Sequence, residues 1–357
     1  MGQSLSFPVM QKNTETGSDN RFLYAISEMQ GWRMNMEDTH VAILDIDGNR
    51  EQSNAFFAVY DGHGGSAATA KFAGQNVHKR LTSEESYREK DYEAALKKAF
   101  LGTDQDLLAD KSRDTSGCTA IAALLTNDNK IYVANAGDSR SVIGIKGKVK
   151  DLSSDHKPTE YSEMERIIAA GGRIVGQRVE GNLALSRALG DFNYKKDESL
   201  GPEAQIVTAN PDVTCHQITE EDEFLVLACD GIWDCLTSQQ VVDYIRYHVS
   251  EGKELPEICE MLFEYCLSPV TNDGYTNGCD NMTMIIVAIT HGRTKEEWYK
   301  WVTERVKSRY GYKTPNRFPA LYPESQLASF RTQRIAFEER ERLKALEGLK
   351  NPEPVEC

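Results

Sequence analysis

The sequence predicts an α+β fold: an antiparallel β-sandwich flanked by α-helices, with a C-terminal helical extension. Three observations carry this. Short apolar runs recur along the first 292 residues, and turn signals such as "DIDGNR" and "TNDNK" join neighbouring runs as hairpins. Stretches of helical length fall between pairs of these runs, which favours helices packed on antiparallel sheets over a doubly wound sheet. After residue 292 the apolar runs stop and charged helical patterns replace them.

In chain order, strands are expected over residues 22–28, 39–46, 55–60, 118–126, 130–136, 141–146, 206–209, 224–229 and 282–290. Helices are expected over 66–81, 91–110, 160–170, 238–249 and 254–267. The helix within "PTEYSEMERIIAAGG" starts at Thr159 or Ser162 and stops at Gly171 and Gly172. The less regular stretch 158–185 around it is a candidate flap. In the tail, "KEEWYKWVTERV" places Trp298, Trp301, Val302 and Val306 on one helical face. A turn-rich stretch with Pro315, Pro319 and Pro323 follows, and then the charged helix "SFRTQRIAFEERERLKALEGLK". The chain therefore divides into an N-terminal segment (1–20), a body (21–292) and a helical extension (293–357), docked on the body or tethered to it.

Composition narrows the function. The chain has 357 residues, 40% apolar and 27% charged, as in soluble globular proteins. No apolar run approaches the ~20 residues that span a bilayer. The start, "MGQSLSFPVMQKN", lacks the basic region and long apolar core of a secretory signal. Eight cysteines, at 118, 215, 229, 235, 259, 266, 279 and 357, form no C-x-x-C. That pattern fits reduced thiols in the cytoplasm or nucleus, and neither a disulfide framework nor a zinc site. The net charge of −14 is uneven: residues 293–357 hold 14 of the 41 Lys+Arg and 10 of the 55 Asp+Glu. The body is thus strongly acidic and repels nucleic acid and phosphate alike. Any phosphate it handles needs local cations.

Four apolar strands each carry an aspartate at one end. "FFAVYDGHGG" ends in Asp61, "IYVANAGDSR" in Asp138 and "EFLVLACDGIWD" in Asp230, while "NGCDNMTMIIVAI" puts Asp280 and Asn281 just before its strand. One such case is a plain turn. Four imply convergence on a cation, because clustered carboxylates repel and lose hydration unless one pairs them. All donors are oxygens, which suits Mg²⁺ or Mn²⁺ rather than Zn²⁺. Gly62, lacking a Cβ, can bring its carbonyl close to an ion. If Asp61 bridges two ions, the site can activate water and clamp an in-line displacement at phosphorus. In "EMQGWRMNMEDTHVAI", Trp32, Met34 and Met36 alternate with Arg33, Asn35 and Glu37. An extended segment puts Arg33 and Glu37 on one face, Arg33 forking onto phosphate and Glu37 reaching metal through water. An ordinary surface pair is the alternative.

The motifs "RMNMEDTH", "VYDGHGG", "SGCTA", "VANAGDSR", "DHKP", "LALSRALGD", "LACDGIWD" and "GCDNMTMIIV" resemble, in order, those of the type-2C metal-dependent protein serine/threonine phosphatases. The resemblance spans roughly residues 20–292. It implies a β-sandwich with a binuclear Mg²⁺ or Mn²⁺ centre at one end, acting on phosphorylated proteins. It further implies that Asp61 bridges the two ions, Gly62 offers its carbonyl, and Asp230 and Asp280 bind one ion. Glu37 then holds metal-bound water, supported by Asp38. Arg33 receives the phosphate, His63 resembles the general acid, and Asp138 matches a position tied to a weaker third ion. The tail resembles, more loosely, the helical extension of one branch.

Other signals carry less. "AILDIDGN" mimics an aspartyl-phosphate motif with Asp45 as nucleophile, but a hairpin turn explains it. His40, His78, His156, His216, His248 and His291 show no ligand spacing. Asp191 in "SRALGDFNYKK" is either structural or close to substrate. "MGQSLS" fits N-myristoylation at Gly2 with Ser6 in place. A single acyl chain, with Lys12 the one basic residue before Arg21, gives only weak, reversible membrane contact. The expectation is a monomeric, cytoplasmic and nuclear protein serine/threonine phosphatase; a non-catalytic phosphoprotein-binding scaffold is the alternative. Every expected ligand precedes residue 292, so loss of the tail is expected to spare the metal site.

Overall fold

The computed structural model describes residues 4–49, 53–110, 115–271 and 277–350, with 344–350 as helix backbone. Two antiparallel sheets face each other. One has six strands, ordered Ser4–Ser18, Phe22–Arg33, Met282–Ile289, Asp222–Ala228, Arg140–Ile145 and Lys148–Asp151. The other has five, ordered Asp212–Gln217, Lys130–Ala136, Ala120–Leu125, Ala55–Tyr60 and Thr39–Ile43. A small third sheet joins Leu189–Gly190, Gly117–Cys118 and Gly62–His63.

The central strands Ala55–Tyr60 and Met282–Ile289 are buried at every position and almost wholly apolar, because both faces of each sheet are covered. Alternate side chains divide between the layers. Phe57, Val59, Ile285 and Val287 fill the space between the sheets. Phe56 and Tyr60 pack against the helices Ala68–Ser83 and Tyr92–Ala109. Met284 and Ile286 pack against Ser238–Ser250 and Leu255–Cys266. Each such side chain contributes about 1.5–3 kcal/mol relative to exposure.

Where the elements depart from expectation, the causes are local. Residues 4–18, expected as a leading segment, form an edge strand paired with Phe22–Arg33. Its polar "QKNTETGS" half hides it; Pro8 is buried, and Phe7 and Met10 pack, partly buried, against the core. Pro8 suits an edge, where a missing N–H costs nothing. Residues 206–209 make one bridge, Arg187 to Thr208, because Val207 instead joins Ile167, Val179 and Leu185 in a small core beneath the flap. The edge strand lies later, at Asp212–Gln217. The flap helix is Tyr161–Ala169; its N-cap is Glu160, so neither Thr159 nor Ser162 caps it.

The tail is docked. In the helix Lys295–Lys307, Trp298 is fully buried and donates its indole N–H to the Glu223 carbonyl at 3.1 Å. Arg246, also fully buried, pairs with Glu223 and donates to the Tyr312 carbonyl and to Thr314. The Tyr322 hydroxyl donates to the Cys266 carbonyl. Finally Phe330, in the helix Glu324–Lys350, packs with Phe7 and Trp32.

Candidate active site

Strand register brings the aspartates together. Ala228 pairs with both Met284 and Arg140, so Asp230, Asp280 and Asp138 leave the six-stranded sheet at one end. In the other sheet Thr39 pairs with Tyr60 and Ala120 with Ala136, which puts Asp38, Asp61 and Asp138 at a common end. Residues 137–139 cross from one sheet to the other, so the two ends are neighbours. Asp45 lies past Ile43, at the far end of the Thr39–Ile43 strand from this cluster. It accepts the Asn49 N–H in a turn, so the nucleophile reading of Asp45 is set aside.

The cluster is crowded with negative charge. Oxygens of Asp38 and Asp61 and the Cys229 sulfur lie within 4.8 Å of one another. Burial pushes the Asp38 carboxyl up to about 7, although Thr283 donates to it at 2.7 Å. Burial, then the charges of Asp38, Asp230, Asp280 and Asp138, hold Asp61 well above the usual carboxylate range. Burial, then Asp138 and Asp280, does the same to Asp230. Two buried oxygens, Asp38 Oδ1 and Asp138 Oδ1, have no hydrogen-bond partner among the described residues. Crowded carboxylates with orphaned lone pairs fit divalent cations, which relieve both repulsion and lost hydration. The oxygen donors suit Mg²⁺ or Mn²⁺. Cys229 does not change this: burial and the adjoining carboxylates push its thiol well up, so it stays neutral.

The other expected residues gather at the same mouth, with differences. The strand ends at Arg33, and residues 34 and 35 bend away, so Arg33 and Glu37 do not share the face of one extended segment. Gly31 has a left-handed φ of 66°, and Met34 is exposed where alternation places it inward. Arg33 is ion-paired with Asp280. Glu37 accepts the Gly65 N–H at 3.1 Å. Gly62 is required sterically, since a Cβ there would strike the Glu37 carbonyl. Asp138 accepts from Lys157 at 2.5 Å. His63 Nε2 lies 2.5 Å from Asp191 Oδ2. Gly2 lies outside the described residues.

A sequence profile described as Protein phosphatase 2C matches residues 22–274, most of the chain and every strand that supplies an aspartate except Met282–Ile289. The chain belongs to the protein phosphatase 2C family. As a member it is a protein serine/threonine phosphatase, a phosphoric monoester hydrolase. It is 50% identical over 326 residues to Protein phosphatase 2C homolog 2 of Hypocrea jecorina, covering 89% of this chain and 74% of that one. It is 46% identical over 342 residues to Protein phosphatase 2C homolog 2 of Schizosaccharomyces pombe, covering 95% and 92%. Among solved structures, a phosphatase from a pathogenic strain of Toxoplasma gondii superposes with a TM-score of 0.66 at 25% identity, covering 78% of this chain and 96% of that one.

Three further residues shape the site of this phosphatase. Asn281 is buried, accepts the Glu37 N–H at 2.9 Å and donates to the carbonyls of Gln30 and Asn35. It therefore pins the loop that carries Arg33 and Glu37. Its place beside Asp280 was the only sequence signal. Lys157, within "DHKP", offsets the charge of Asp138. Asp191, whose role the sequence left open, meets His63. A polar groove of about 420 Å³, lined by Met34, Asn35, Gly65 and Lys71 among others, adjoins this mouth.

Proposed function

We propose that this phosphatase hydrolyses phosphoserine and phosphothreonine on proteins with two Mg²⁺ or Mn²⁺ ions held by Asp61, the Gly62 carbonyl, Asp230 and Asp280. Glu37 and Asp38 complete the centre through water, and Asp138 offers a weaker third position. The observation that supports this most is the convergence of strand-end carboxylates from both sheets, with orphaned buried oxygens among them. When bound, the ions supply Lewis acidity and activate the attacking water.

The chain's own groups do the rest. Arg33 leaves Asp280 and forks onto two phosphoryl oxygens. Asn281 and Gly65 fix Glu37, which orients the water. His63 gives its proton to the departing seryl or threonyl oxygen, which is a poor leaving group as an alkoxide. The same reading has the chain acting as a monomer in cytoplasm and nucleus, with weak membrane contact where Gly2 carries myristate.

Dialysis against a chelator tests the reading. Turnover of a phosphoserine peptide is expected to vanish and to return with Mn²⁺ or Mg²⁺. Calorimetric titration of the dialysed protein with Mn²⁺ is expected to show strong binding that Asp61→Asn abolishes. Full turnover in excess chelator would overturn it.

A further inference from the structure

The small third sheet exists to bring two side chains together. Gly62 pairs with Cys118 and His63 with Gly117. On the other side of the same strand, Leu189 pairs with Cys118 and Gly190 with Gly117. His63 and Asp191 thus flank Gly117 from opposite sides. A Cβ on Gly117 would run into both the Asp191 carboxylate and the His63 ring nitrogen Nε2. Glycine leaves the gap in which Nε2 and Asp191 Oδ2 meet at 2.5 Å.

The carboxylate is held firmly. Asp191 is buried, and its backbone is left-handed at φ 51°, a conformation that costs a non-glycine residue about 1 kcal/mol or more. The neighbouring bonds enforce it. Asp191 N–H donates to the Ser116 carbonyl at 3.2 Å, and Gly190 N–H donates to Asp104 at 2.7 Å. Lys195 ties Asp104 to the Ala188 carbonyl with bonds of 2.8 Å. Among the described residues the side-chain hydrogen bond of the histidine ring is the one between Nε2 and Asp191.

We propose that Asp191 is the positioning residue for His63. A carboxylate can only accept, so Nε2 carries the hydrogen and Nδ1 is the nitrogen turned to the substrate. Asp191 holds the doubly protonated ring in the orientation from which Nδ1–H delivers its proton to the leaving oxygen, which leaves the neutral ring with its hydrogen on Nε2. The N–H bond breaks, the O–H bond of serine or threonine forms, and the electrons of the P–O bond stay on that oxygen. The role rests on the general-acid reading of His63 and adds a second residue to it.

Leaving-group comparison tests this. Asp191→Asn, His63→Gln and the double variant are assayed at saturating Mn²⁺ with a phosphoserine peptide and with para-nitrophenyl phosphate. The latter's phenolate departs without a proton. Asp191→Asn is expected to lower the peptide-to-aryl ratio of kcat by about 10- to 10²-fold, part of the 10²–10⁴ that a general acid contributes. In the His63→Gln background the same change is expected to leave the ratio unmoved. Gly117→Ala, which drives a methyl into the gap, is expected to lower the ratio as Asp191→Asn does and serves if that variant misfolds. A merely structural Asp191 lowers both substrates alike, or adds its loss to that of His63→Gln, and either result overturns the inference. If His63→Gln lowers the ratio and Asp191→Asn does not, the positioning role fails alone. If His63→Gln leaves the ratio unmoved, the general-acid reading fails and takes this one with it.

Discussion

Arg33 and Asp280 form an ion pair across the mouth of the site. In the proposed reading these are a metal ligand and the phosphate receiver, so an ion held through Asp280 would release Arg33 for the phosphoryl group and link the two events. Arg33→Ala is therefore expected to raise KM for a phosphopeptide by about 10- to 10²-fold, the worth of one or two charge-assisted hydrogen bonds. Its Mn²⁺ affinity, read by calorimetry, should match or exceed that of the parent, because Asp280 loses a competitor. Weaker Mn²⁺ binding in Arg33→Ala would show that the pair helps to build the ion site.

Asp61→Asn and Asp230→Asn are expected to lose nearly all turnover while keeping the fold. Both carboxyls are pushed up by burial and by each other's neighbours, so each costs stability while it is charged and ion-free. Without metal, these variants should melt a few degrees higher than the parent. Mn²⁺ should raise the melting point of the parent and leave that of the variants nearly unchanged. Near-normal turnover of either variant at saturating Mn²⁺ would contradict the assignment.

The strands that converge on the site were legible because they are buried on both faces. A sheet covered on both sides needs an unbroken apolar run, and an aspartate ending such a run stands out, as after "FFAVY" and "EFLVLAC". Edge strands lack that signature. Ser4–Ser18 and Asp212–Gln217 are half solvated, so their polar alternation reads as loop. The His63–Asp191 contact joins residues 128 apart through a ladder of two-residue strands, too short for any periodicity to reveal. The bend after Arg33 was hidden for another reason. The alternation of Trp32, Met34 and Met36 is genuine in sequence, but Asn281, from a distant segment, binds the carbonyls of Gln30 and Asn35 and overrides it.

The tail bears on stability more directly than the position of the ligands suggests. Trp298 and Val302 are fully buried in the layer that covers the six-stranded sheet. Arg305 also reaches Glu223, the buried partner of Arg246. Truncation before residue 293 should therefore give a protein that melts far below the parent or is insoluble. Trp298→Ala alone is expected to cost about 3–5 kcal/mol in denaturant unfolding. Truncation after Tyr322 keeps this layer and uncovers the aromatic surface of Phe7 and Trp32, so it should fold and bind Mn²⁺. A soluble, cooperatively melting protein ending at residue 292 would refute the structural role of the tail.

The candidate flap, residues 158–185, is anchored by a buried carboxylate whose charge can be titrated. Glu163 lies between Arg187 at 2.7 Å and Arg166 at 2.8 Å, and accepts from Ser186 at 2.5 Å. Burial alone would push its carboxyl up. The hydrogen bond from Arg187 and the charges of both arginines outweigh that and hold it down at about 2, against an ordinary 4.5. A carboxyl lowered in the folded state binds protons more weakly there than in the unfolded chain. Its stabilisation is complete above the ordinary value and drains away as the pH falls from about 4.5 towards about 2. Glu163→Gln cannot titrate and leaves the guanidinium groups of buried Arg187 and half-buried Arg166 without their shared carboxylate. It should be less stable than the parent at pH 7, by a margin that shrinks as pH falls through this window. Other titrating groups are shared by both proteins, so the difference isolates Glu163. Because Arg187 lies four residues before Asp191, loosening this anchor should also weaken phosphopeptide turnover at neutral pH. A stability gap that stays constant from pH 7 down to pH 3, in urea unfolding of the two proteins, would mean that the ion pairs do not hold the flap.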